Sequence, residues 1–148
     1  MPSQSRDVSL PVSANQAYAL VRSAGSEIPG FKLVRENPQA YSIDFARGFG
    51  WTNPVDVTAN VFATADGQAQ IRVTASILAL ADPFGFLPSV LGLFEQRIQQ
   101  HVHSMTTGAP LPPPKKDGRA MTVNLVIIAV CLGFILAIGV LVLVVALT

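Results

Sequence analysis

The chain has 148 residues, half of them hydrophobic and 13% charged, with a net charge of +1 and a mean hydropathy of +0.45. Its first 107 residues hold seven basic and eight acidic side chains, which excludes nucleic-acid binding by bulk charge. The one cysteine, Cys131, excludes an intrachain disulfide, and the chain opens without the basic-then-apolar layout of a secretory leader.

Residues 7–12 alternate Val8, Leu10 and Val12 with Ser9 and Pro11, which predicts a short edge strand, because proline cannot donate to a central ladder. Ser13 and Gln16 have capping-box spacing. A helix is therefore expected over residues 14–24, with Ala17, Leu20, Val21 and Ala24 inward and Gly25 and Pro29-Gly30 as its stop. Phe31 and Leu33, a turn at residues 36–39, and the alternation of Tyr41, Ile43 and Phe45 predict a hairpin. Val55, Val57, Ala59, Val61 and Ala63, the Asp66-Gly67 turn, and Ile71, Val73, Ala75, Ile77 and Ala79 predict a second. After a loop at residues 82–88, Ser89 is expected to cap a helix with Leu91, Phe94, Ile98, His101 and Met105 on one face. On that pattern Glu95, Arg97, Gln99, Gln100 and Ser104 lie mostly on the other, solvent side. The order predicts an α+β domain over residues 1–107: an antiparallel sheet of about five strands with two helices on one face.

Residues 108–120 read as a Pro-rich, basic linker, net +2, that favours extended polyproline II and acts as a spacer of about 40 Å, with a proline-recognition motif as the alternative reading. The last segment, residues 121–148, reads as one C-terminal transmembrane helix. From Leu125 through Gly133 to Leu147 it has 23 residues without a charge, 17 of them Leu, Ile, Val or Phe. Those 17 favour insertion by roughly −7 kcal/mol, and the run reaches about 35 Å. Lys115, Lys116 and Arg119 precede it, which orients the chain as a single-pass membrane protein with its N-terminal domain cytoplasmic. Within the span Ala129, Gly133 and Ala137 form a small-X₃-small row, so a membrane-protein partner or a second copy can approach there.

Catalytic and metal-binding patterns are sparse. His101 and His103 are two residues apart and point to nearly opposite sides of a helix, so they do not share a metal ion. The acids, among them Glu27, Asp44 and Asp56, fall singly on turns and solvent-facing positions. Neither a nucleophile elbow nor a phosphate loop is present. The expectation is a protein that is not an enzyme, with no catalytic residues, no metal and no cofactor. Five aromatics remain as a candidate ligand or contact surface: Phe49 and Trp51, alternating with Gly48 and Gly50, Phe84 and Phe86 in the Pro-flanked loop, and Phe94 on the helix. The alternative for each is packing in the core.

Residues 40–47, the Gly50-Trp51 dipeptide and the Asp66-Gly67 hairpin ending near Ser76 resemble a small bacterial domain with the order β-α-β4-α and a Trp before its third strand. The resemblance covers about residues 6–103. The chain also resembles a shortened START-type (SRPBCC) fold, in which a long C-terminal helix closes a curved sheet over an apolar ligand. That resemblance supplies no catalytic residues. Two functions follow as expectations: a non-enzymatic protein-interaction module anchored in the lipid bilayer, or a membrane-tethered carrier or sensor of a lipid or quinone.

Overall fold

The computed structural model describes residues 1–47, 54–78, 82, 85–115, 126 and 128–138. Its elements run β1 (Ser3–Leu10), α1 (Ala14–Glu27), β2 (Lys32–Asn37), β3 (Ser42–Arg47), β4 (Val55–Ala63), β5 (Ala69–Ile77) and α2 (Phe86–Thr107). The strands form one antiparallel sheet in the order β1-β5-β4-β3-β2. The α+β expectation of five strands and two helices therefore holds.

Period-two patterning puts one face of this sheet inside. Phe45 lies opposite Val57 and Val57 opposite Ala75, while Val8 and Leu10 of the edge strand face Ile71 and Ala69. All of these are buried in one cluster with Leu20 and Val21 of α1 and Leu91, Phe94 and Ile98 of α2. The other face is polar: Arg72 donates to both carboxylate oxygens of Asp7, and Asp44 accepts from Thr58 and Arg35.

The capping box forms as expected, with the Ser13 hydroxyl accepting from the Gln16 amide. Gly25, expected to stop α1, instead lies inside it. The helix crosses Phe45 at that point, so closely that a Cβ on residue 25 would run into the ring. Glycine serves an approach here and not an end. The start of α2 also moves: it begins at Phe86 and not at Ser89, because Asp82 accepts from the amides of Phe86 and Leu87, each at 2.8 Å. One carboxylate thereby satisfies two of the unpaired donors at the helix start.

Residues 128–138 are helical. Among the described residues no helix is long and apolar enough to cross a membrane. Leu125 and Leu147, the ends of the expected span, lie outside the described residues, as do Lys116 and Arg119.

Candidate functional site

Two places concentrate chemistry: the apolar layer between the sheet and α2, and the outer side of α2. In the first, Phe31, Phe45 and Phe94 meet as an aromatic group, with Phe94 centred 5.2 Å from Phe31 and 5.5 Å from Phe45. Phe94 is fully buried and Phe86 nearly so. Both therefore face the interior. Phe49, Trp51 and Phe84 lie outside the described residues. At the end of β3 the alternation places Arg47 inward, 8% exposed, with its guanidinium carbon 5.3 Å from the Phe31 ring centre. A cation over an aromatic face is attracted by the ring quadrupole. It is the one strongly polar group that the inward rows of the sheet contribute among the described residues.

The second place has no motif in the sequence. Arg97, assigned by helical periodicity to the solvent side, is 6% exposed, and Glu27 at the end of α1 is the reason. Nε of Arg97 donates to Glu27 Oε2 at 2.8 Å, and Nη2 donates to the same oxygen. His101 Nε2 lies 3.1 Å from it. Burial pushes the Glu27 carboxyl up, and the hydrogen bonds from Arg97 and His101 outweigh this and hold it below its ordinary value of 4.5. These residues are 70 and 74 positions apart, so no sequence spacing could join them. The only advance signal was a histidine inside an apolar stripe. His103 is separate, facing the outer groove described next.

The remaining Arg97 nitrogen, Nη1, donates to Gln100 Oε1 at 3.0 Å and to the Pro112 carbonyl at 2.6 Å. Ser104 donates to the Ala109 carbonyl at 2.7 Å. Residues 109–115 thus fold back along α2. The cause is Gly108, which takes the left-handed conformation (φ 70°) and caps the helix through its amide to the Ser104 carbonyl. Between this strap and α2 lies an open groove of about 370 Å³, lined by Gln96, Gln99, Gln100, His103, Ser104, Pro110 and Pro112. Among the described residues no group of three or more His, Cys, Asp or Glu could hold a metal ion.

No protein-family model and no curated protein matches the chain. Solved structures do. The di-domain ARO/CYC protein BexL of the BE-7585A biosynthetic pathway superposes with a TM-score of 0.54 at 15% identity, over 72% of this chain. This chain spans only 48% of BexL. The Zhui aromatase/cyclase of Streptomyces sp. R1128 superposes at 0.51 and 7% identity, covering 71% of this chain and 95% of that one. Ara h 8.0201 does so at 0.53 and 13% identity, covering 73% and 99%. The likeness is one of fold, a distant START-type arrangement. It corrects the expectation that the chain is not an enzyme: aromatase/cyclase proteins are built on this arrangement, and the scarcity of catalytic motifs in the sequence does not argue against catalysis.

Proposed function

We propose that the domain binds an apolar small molecule, of the size and character of a lipid or quinone. The observation that carries this reading is the arrangement itself: a one-sided antiparallel sheet with a 22-residue C-terminal helix laid across its apolar face. Proteins named as aromatase/cyclases share it. Arg47 over Phe31 supplies a polar anchor in apolar surroundings, the usual composition of a small-molecule site. Its guanidinium suits a carbonyl, phenolate or carboxylate oxygen on the ligand.

The domain works at a membrane, tethered by residues 125–147 as a single pass with the N-terminal side cytoplasmic. The exposed run of Val130, Leu132, Phe134, Ile135, Leu136 and Ile138 supports this, since a contiguous apolar surface of that kind needs lipid or a partner. Ala129, Gly133 and Ala137, exposed on that helical stretch, offer a close-approach row for self-association. Gly133→Leu abolishes association in membranes if that row is the contact and leaves it unchanged if it is not. A reporter fused after Thr148 reads out on the far side of the membrane; a cytoplasmic reporter overturns the orientation.

The ligand reading is tested by native mass spectrometry of the full chain in lipid nanodiscs, prepared from cells that make its usual lipids. The expected result is a stoichiometric adduct of a few hundred daltons, reduced in Arg47→Met. A chain free of any adduct in both forms overturns the proposal. A recovered ligand whose mass changes on incubation with the protein marks turnover.

A further inference from the structure

The outer side of α2 has a spacing that matches an extended proline helix. Arg97 and Ser104 are seven residues apart, two helical turns, so they share one side of α2 and are separated by about 10.5 Å along its axis. Pro110, Pro112, Pro113 and Pro114 fix φ at their own positions and push each preceding residue into extended backbone, so polyproline II is the conformation residues 109–114 favour. Polyproline II repeats every three residues, about 9.3 Å. Ala109 and Pro112 are three residues apart, and their carbonyls are the two that α2 binds. The register runs antiparallel: Ala109 lies at Ser104, Pro112 at Arg97, and Pro114 and Lys115 lie beside Leu93, Gln96 and Ile28. A proline carbonyl has no adjacent amide competing for it within the segment, which leaves it free to accept.

We infer that α2 carries a polyproline-reading face, filled by this chain's own residues 109–115, and that the filling is reversible, so that Arg97 clasps or releases the strap. Three features make it a clasp. Arg97 is aimed by Glu27 and Gln100, so its third nitrogen is pre-oriented and binding costs little side-chain order. The contacts go to main-chain oxygens and not into a deep apolar pocket, so release exposes little hydrophobic surface. The turn at Gly108 needs no rearrangement of the helix, since Gly108 can also take ordinary extended backbone. Docked, the strap carries the chain about 20 Å back along α2, and released it runs about 20 Å onward. The position of Lys115 then moves by up to about 40 Å. That this movement sets a stand-off from a bilayer rests on the anchor reading; the docking itself does not.

The test is a distance measurement on the full chain in nanodiscs, with nitroxides at Ser26→Cys and Lys115→Cys in a Cys131→Ser background. The parent is expected to show a narrow short-distance population. Arg97→Gln is expected to lower that population about ten-fold and Ser104→Ala about three-fold, the difference between a charged and a neutral donor. Ser104→Ala removes only the hydroxyl that reaches Ala109, so its effect is separable from any loss of folding in the Arg97 variant. Excess synthetic peptide Gly-Ala-Pro-Leu-Pro-Pro-Pro-Lys is expected to lengthen the distance in the parent. A distance unaffected by both substitutions, or a parent unaffected by saturating peptide, overturns the clasp. A second sharp distance that grows with protein concentration overturns it too, because the strap then docks on another copy.

Discussion

The two sides of α2 are held by different physics. The inner side, with Leu91, Phe94 and Ile98, is held by removal of apolar area from water, which is non-directional and grows with side-chain size. The outer side, with Arg97, Gln100 and Ser104, is held by a few directed hydrogen bonds whose net worth is small because water competes for the same groups. The lesson is a division of labour along one helix: the inner side fixes the fold, and the outer side makes a contact that can open without unfolding anything.

Breaking the inner side has the largest expected effect. Phe94→Ala leaves a void against Phe31 and Phe45 and costs about 3–5 kcal/mol, read from the denaturant midpoint of the domain. Gly25→Leu attacks the same layer from α1 by driving a side chain into Phe45, with an expected loss of about 1–3 kcal/mol. Asp82→Ala removes the acceptor for two amides at the start of α2 and costs about 1 kcal/mol, with Asp82→Asn retaining part of it. Replacing Pro112 and Pro113 with glycine addresses the outer side alone. Its expected stability change is under about 0.5 kcal/mol, while protease cleavage within residues 109–115 rises sharply. Equal losses from the Phe94 and the proline variants would end the distinction between the two sides.

Acid sharpens the comparison further. Glu27 has a folded-state pKa below its ordinary 4.5, so its contribution is fully present above that value and is lost as pH falls through the depressed one. Acidification below pH 4.5 is expected to release the strap while the Phe94 layer stays packed. Glu27→Gln, which carries no titrating carboxyl, removes that acid transition from the label distance.

Much of the fold was legible because it rests on local repeats. The capping box at Ser13 and Gln16, the alternation through Val55–Ala63 and Ala69–Ile77, and the inward face of α2 from Leu91 to His101 each repeat within a few residues; Met105, which the same spacing puts on that face, is instead exposed, because it lies past the edge of the sheet's apolar layer. The errors share one cause. Gly25 looked like a stop because its partner, Phe45, is twenty positions away and two elements later. Ser89 looked like a cap because Asp82 reaches the helix across a loop. Arg97 looked solvent-facing because periodicity describes one element, whereas its burial comes from α1 and from the returning strap.

From the amino-acid order alone came the element types, the one-sided sheet and the long apolar C-terminal stretch, since propensity, binary pattern and hydropathy are properties of neighbouring residues. Only the tertiary structure decided that Glu27, Arg97, His101 and Pro112 belong to one cluster and that the proline segment turns back along α2. A hydrogen bond between distant positions depends on where two elements are brought, and that is set by packing the core, which no local pattern records.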